Sequence, residues 1–323
     1  MKQSIPFIEA VRSGVVETVH RASIIAVDDK NVIYSRGNPD VIVPMRSTSK
    51  PFMLGPLLNA AKNCGLYLSN AQICIMLSSH NGETIHRNCV QSILKLAECS
   101  TSDLNCGTHI PFFSWLYDDY FSTNELCERQ LFHNCSGKHA GMLLLCKLLE
   151  ICPKEYWLPN HKIQELITSS IKENLHISTS EYFSMITDGC GVPTYAITLK
   201  KLAEAYQRFS STNTFNDMCT AILAEPYMIA GKDRIDTIIT EELGFIAKSG
   251  SDGLFCIGCP QQKIGIALKI ESGSDDAAES AIVEVLDQLG LLSNRAKQKL
   301  DEFRFLRIYT STGEISGNYK PIR

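Results

Sequence analysis

Strand-type patterning occurs at both ends of this 323-residue chain, and the long stretch between them repeats with the period of a helix. Residues 14–36 alternate apolar and polar side chains about Asp28-Asp29-Lys30-Asn31, the pattern of a β-hairpin. From about 50 to 240 the pattern is helical, as in 161–175, where Ile163, Leu166, Ile167 and Ile171 recur at spacings of 3, 1 and 4. Strand signal returns after Gly250 in Leu254-Phe255-Cys256-Ile257 and in 264–270. A helix with an acidic first turn then begins near Asp275, and Leu306 to Thr310 and the segment after Glu314 read as short strands. This order predicts an α/β (α+β) fold: a mainly antiparallel sheet built from both chain ends, with a helical lobe inserted between. The expected boundaries are 1–50 with 245–323 for the sheet lobe and 51–244 for the helices, with the active site in the cleft between lobes.

Composition narrows the function. At 44% hydrophobic and 20% charged residues, the chain matches an ordinary globular protein. A formal charge of -4 without a dense Lys/Arg run argues against nucleic acid or an anionic membrane as the main partner, leaving a small molecule. No run of about 18 apolar residues is present to span a bilayer. The segment MKQSIPFIEAVRSGVVETVH lacks the apolar core of a signal peptide. Thirteen scattered cysteines then read as reduced thiols of a cytoplasmic protein, most of them small core residues.

Within this frame, Arg46-Ser47-Thr48-Ser49-Lys50-Pro51 sets a serine one helical turn before a lysine and places a proline where only a first helical turn tolerates one. A lysine kept neutral by burial can take the serine proton and create a nucleophile. The pairs Ser92/Lys95 and Ser169/Lys172 share the spacing but sit in amphipathic stretches, as solvated helical faces. Downstream, Ser79, His80 and Asn81 follow the apolar run Ile73-Cys74-Ile75-Met76 and precede Gly82, so Ser79 is either a reactive loop serine or a cap for a helix at 84–97. Lys248-Ser249-Gly250 completes the order S-x-x-K, S-x-N, K-[ST]-G of serine β-lactamases and penicillin-binding proteins, which points to acyl transfer to serine.

Two further motifs lie outside that template: Asn134-Cys135-Ser136-Gly137-Lys138-His139 and Asp188-Gly189-Cys190-Gly191-Val192-Pro193. Their cysteines are either zinc ligands or plain buried thiols, the commoner fate of cysteine. Cys256 and Cys259 have the C-x-x-C spacing without a partner pair and read as core thiols.

Taken together, these motifs and Gly265-Ile266-Ala267-Leu268-Lys269 resemble the rhizobial-type (class 3, L-asparaginase II family) asparaginases, from near residue 14 to at least 273. The resemblance implies a serine β-lactamase and glutaminase-like fold, hydrolysis of L-asparagine to aspartate and ammonia, and a homodimer. It implies two serine–lysine pairs, Ser47 with Lys50 and Ser79 with Lys269, and an auxiliary Zn²⁺ held by Cys135, Lys138, Cys190 and water. Lysine binds a metal only as the neutral amine, so such a site weakens as pH falls. Arg46, His80, Asn81, Gly82, His139, Asp188 and Lys248 are the expected substrate contacts. Arg46 and Asp188 would read the α-carboxylate and α-amino groups; by pattern alone they are equally an ion-paired arginine and a turn aspartate. Motif order nominates Lys248 as the partner of Ser79, whereas the resemblance nominates Lys269, and Lys269 is the expected relay with Lys248 a pocket cation. A glutaminase or penicillin-recognising acyltransferase on the same fold is the nearest alternative, and a non-catalytic zinc- or ligand-binding homologue the next.

Overall fold

A computed structural model describes residues 3–322. The chain divides into two compact units. One comprises the residues up to Thr48, Ile197–Phe215 and those from Ile238 onward; the other comprises Ser49–Ala196 and Asn216–Thr237. Among the described residues no helix is long and apolar enough to cross a membrane.

Among the described residues of the first unit, eight strands form one antiparallel sheet in which the two ends of the chain meet as expected. Ile5–Arg12 pairs on one side with the C-terminal Ile315–Pro321, Ile8 opposite Pro321, and on the other with Val15–Val27. Val15–Val27 and Val32–Arg36 are the predicted hairpin. Its turn is tied by Asp28, whose carboxylate accepts from the N–H groups of Lys30 at 2.8 Å and Asn31 at 2.6 Å. The sheet continues through Ile264–Ile270 and Leu254–Cys259 to Ile246–Gly250 at its edge. Leu254–Cys259 is buried at every position, which includes Cys256 and Cys259 as core thiols.

The helices Leu199–Ser211 and Asp275–Gln288 pack on these central strands. The former corrects the expected boundaries, since 51–244 is not one uninterrupted lobe. Its amphipathic face has a better surface on the sheet, because glycine lets two backbones touch: a β-carbon on Gly265 would lie 2.1 Å from the Ala203 carbonyl oxygen. The register sets the lysines. Lys248 stands opposite Cys256, which stands opposite Ala267; two residues along, Gly250, Leu254, Lys269 and Ser23 form the next row of the same parity. Side chains of one parity share a face, so Lys248 and Lys269 emerge on the same side of the sheet.

The second unit is mainly helical and centres on Ser136–Leu148, buried from Ser136 through Cys146. A β-carbon on Gly137 would fall 2.2 Å from the Ile75 carbonyl oxygen, so this glycine lets the helix settle onto Asn70–Leu77. The pairs Ser92/Lys95 and Ser169/Lys172 lie inside the helices Thr84–Leu96 and Lys162–Asn174, as expected. In the latter, Ile163, Ile167 and Ile171 are buried while Leu166 is 38% exposed, so the apolar stripe is narrower than its sequence pattern. Thr84–Leu96 is capped by Glu83 with His86, which removes the capping role from Ser79.

Candidate active site

The sheet unit carries Ser47, 7% exposed, inside the 3-10 turn Arg46–Ser49. Arg46 enters that turn at φ 48°, a left-handed conformation costly for a residue with a β-carbon, and its guanidinium is ion-paired with Asp252. The expected substrate-reading arginine is thus engaged by a carboxylate of its own unit. Thr48 closes the turn, its N–H and Oγ1 both donating to the Met45 carbonyl at 3.0 and 2.6 Å. Its carbonyl accepts from Tyr206 Oη at 3.0 Å. Its methyl lies 3.1 Å from where a Gly250 β-carbon would stand, and Cys256 shares a side-chain hydrogen bond with it. Cys256 is the cross-strand partner of Lys248 and Gly250 stands in the Lys269 row, so the residue after Ser47 rests across both rows. Lys248 is 1% exposed and donates to the Ser249 carbonyl at 2.7 Å. Lys269 instead directs its Nζ to the Asp252 carbonyl.

In the helical unit, Lys50 opens the turn Lys50–Met53, with Pro51 where its missing N–H costs nothing. Its 1% exposed Nζ donates to the Ser78 carbonyl, to Ser79 Oγ at 3.1 Å and to the Asn134 carbonyl at 3.2 Å. Three neutral acceptors cannot offset the lost hydration of an ammonium, and burial holds the Lys50 amine below its ordinary value. The lysine against Ser79 is therefore Lys50, while Lys269, the partner expected from the resemblance, is turned toward Asp252.

The Ser79–Gly82 loop is bolted from outside. Ser79 and Asn81 donate their N–H groups to the carbonyls of Ile229 at 3.0 Å and Ala230 at 2.8 Å. Asn81 Nδ2 donates to the Lys232 carbonyl at 2.9 Å, and Arg234 donates to the Ser79 carbonyl at 3.3 Å and to Asn81 Oδ1 at 3.2 Å. His80 Nδ1 accepts from Gly82 N–H at 3.1 Å, so its Nε2 carries the proton and donates to Ser136 Oγ at 3.0 Å. Burial first, then His86 and Lys50, keeps this ring neutral. His139 is held likewise: Tyr156 Oη accepts from Asn105 N–H at 3.0 Å and shares a hydrogen bond with His139 Nδ1 at 2.7 Å, and burial lowers the ring to about 3. The expected substrate contacts His80, Asn81, Gly82 and His139 are thus buried, with the polar atoms named above turned to protein partners, while His139 Nε2 is buried without a hydrogen-bond partner among the described residues. Arg234, Asn134 and Ser136 were not legible as site residues, because each acts through a partner more than fifty residues away.

Cys135, Asp188 and Cys190 form the third cluster, all buried, with one ligand atom from each within 4.8 Å of the others. The Cys190 thiol lies 3.4 Å from Asp188 Oδ2 and hydrogen-bonds the Cys135 sulfur. That bond, with Lys138 and Lys50 nearby, brings Cys135 well below its ordinary value despite burial, while the same bond pushes Cys190 up. Lys138 Nζ sits 3.1 Å from Asp188 Oδ2. Burial opposes its charge, but Cys135, Cys190 and Asp188 together hold it well above the ordinary lysine value. Asp188, expected at the substrate, belongs to this cluster.

A family model described as L-asparaginase II matches residues 8–321. No curated protein matches the sequence. Among solved structures, a β-lactamase candidate from Bacteroides dorei is similar at 9% identity over 83% of this chain and 93% of that one, with a TM-score of 0.44. The protein Mglu in its tris and glutamate form is similar at 13% identity over 90% of this chain and 63% of its own, with a TM-score of 0.38, so the chain spans less than two thirds of it. An octameric penicillin-binding protein homologue from Pyrococcus abyssi is similar at 15% identity over 88% and 76%, with a TM-score of 0.37.

Proposed function

Since the chain belongs to the L-asparaginase II family, we propose that it is an amidohydrolase that converts L-asparagine to L-aspartate and ammonia through an acyl-serine. The observation that carries this reading is Lys50, a buried amine among neutral acceptors, one of them Ser79 Oγ, three residues after Ser47 in the chain. As Ser47 Oγ bonds the side-chain amide carbon of the substrate, its proton passes to neutral Lys50. When the tetrahedral intermediate collapses, the C–N bond breaks and the nitrogen takes that proton, Ser79 offering the path from Lys50, so ammonia departs. Water then adds to the ester, again giving its proton to Lys50, and the C–O bond to Ser47 breaks with return of the proton. The hydrogen bond of Thr48 with Cys256, the cross-strand partner of Lys248, and the engagement of Lys269 with the Asp252 carbonyl support Lys248 as the cation that faces this chemistry. Thr48 N–H is committed to Met45 and does not serve as an oxyanion donor.

The thiol cluster suits Zn²⁺ by its donor set, two sulfurs and a carboxylate oxygen within 4.8 Å, with the Lys138 amine as a further ligand once it loses its proton. A bound zinc would keep both thiols deprotonated and add positive charge beside Lys50, and its role in this reading is auxiliary. Ammonia release from L-asparagine, L-glutamine and a β-lactam reporter, measured on the protein and on Ser47→Ala, tests the reading. Release from asparagine that depends on Ser47 is expected; equal release by both proteins sinks the nucleophile. Zinc content retained in Cys135→Ala and Cys190→Ala would dismiss the metal site.

A further inference from the structure

Beyond Lys269, the sheet face that bears the two lysines opens onto a cavity of about 600 Å³. Arg21 and Ser23 line it from one strand, Lys269 and Glu271 from the neighbouring strand and its end, Asn38 from a loop, and Ser4 from the segment before Ile5–Arg12. These pieces are tied together. Ser23 and Lys269 are cross-strand partners, Glu271 N–H donates to the Arg21 carbonyl at 2.8 Å, and Asn38 N–H donates to Ser23 Oγ at 3.2 Å. The volume is that of a small-molecule site. By contrast, the cavity beside Lys50, of about 20 Å³ and lined by methionines and leucines, holds a single water at most.

The charges decide what would fit. Arg21 Nε lies 3.6 Å from a Glu271 oxygen and donates to Ser4 Oγ at 3.2 Å, and Ser4 Oγ in turn donates to Glu271, so a guest takes up Arg21 and Glu271 by displacing Ser4, and Lys269 supplies a second cation. Two cations, one carboxylate and flanking hydroxyl and amide groups complement a molecule with two carboxylates and one ammonium. We propose that this cavity is a second ligand site, distinct from the nucleophile, for an α-amino dicarboxylate of the L-aspartate class. Its occupancy reaches Ser47 by a short path: Asp252 holds Lys269 through its carbonyl and Arg46 through its carboxylate, and Arg46 is the residue at positive φ that precedes Ser47. A guest carboxylate that draws Lys269 from Asp252 changes the support of that turn, so the ligand slows turnover without occupying the substrate position. That the ligand is also the product rests on the function proposed above; the existence of the site does not.

Calorimetric titration of Ser47→Ala with L-aspartate tests the site without requiring turnover. Two saturable events are expected, one of which disappears in Ser47→Ala/Arg21→Met and weakens at least tenfold in Ser47→Ala/Glu271→Gln, with melting temperatures confirming that both fold. Succinate, lacking the ammonium, and L-alanine, lacking the second carboxylate, should fill the Arg21-dependent event at least tenfold more weakly. A single event, or two that survive both substitutions, overturns the proposal. With active protein, L-aspartate should lower kcat for asparagine as well as raise KM; purely competitive inhibition also overturns it. A protein that binds aspartate in this way but releases no ammonia would refute the asparaginase reading and leave the site standing.

Discussion

Lys50 and Lys138 are both buried in the helical unit, yet their surroundings drive their amines in opposite directions. Lys50 is met by two carbonyls and a hydroxyl, so the cost of desolvating its charge dominates and the neutral amine becomes accessible. Lys138 is met by Asp188 at 3.1 Å and by the Cys135–Cys190 pair, and those charges outweigh the same burial. Burial alone does not make a lysine a base. What separates a proton acceptor from a structural cation is whether its nearest partners carry formal charge.

The sharpest test of that contrast is catalytic. Lys50→Met and Ser47→Ala should each lower asparagine turnover on the order of 10⁴-fold, whereas Lys138→Met should retain far more activity once matched for folded protein. Equal losses at all three positions would erase the distinction. On stability the order reverses. Lys138→Met leaves a thiolate and a carboxylate buried without their cation and should cost about 3–5 kcal/mol in urea unfolding at neutral pH. Lys50→Met orphans carbonyl groups and should cost about 1–3 kcal/mol. The Lys138 value is raised in the fold, so its contribution is complete below the unfolded lysine value of about 10.4 and fades as pH rises through the folded one. Cys135, shifted down, contributes above about 8.5 and loses that contribution as pH falls through its folded value.

Two smaller effects probe the supports of these pockets. Gly137→Ala puts a methyl 2.2 Å from the Ile75 carbonyl oxygen and should lower stability by about 1–3 kcal/mol, visible as a reduced melting temperature. Last, kcat/KM should climb with pH along a limb whose midpoint lies below the ordinary lysine value of about 10.4, because the proposed mechanism uses Lys50 as the neutral amine and burial shifts it down. A limb at or above that value would show Lys50 to be an ordinary cation.

Much of the architecture was legible from local pattern. The hairpin about Asp28, the strand in 264–270, the helix after Ser274 and the meeting of the two ends all follow from periods of two or 3.6 residues and from turn chemistry within a few positions. The return of Leu199–Ser211 to the sheet unit was not, because its amphipathic face says that it packs and not on what. The site divides the same way. Ser47 and Lys50 stood out as neighbours in sequence, and Cys135 and Cys190 as a thiol pair near glycine turns. Asp188 as their companion, and His80 and His139 as braces, depend on hydrogen bonds that join residues 2 to 56 positions apart.

Hydrophobic period and turn residues were enough to indicate a sheet closed by both chain ends and inserted helices, and the motifs carried the resemblance to the family whose model matches residues 8–321. Those signals are local, and local geometry obeys them. The tertiary structure decided which lysine lies among neutral acceptors, which among charged partners, and that Lys269 turns to the Asp252 carbonyl. Protonation depends on charge and solvent within a few ångströms, and the groups that supply both arrive from distant parts of the chain.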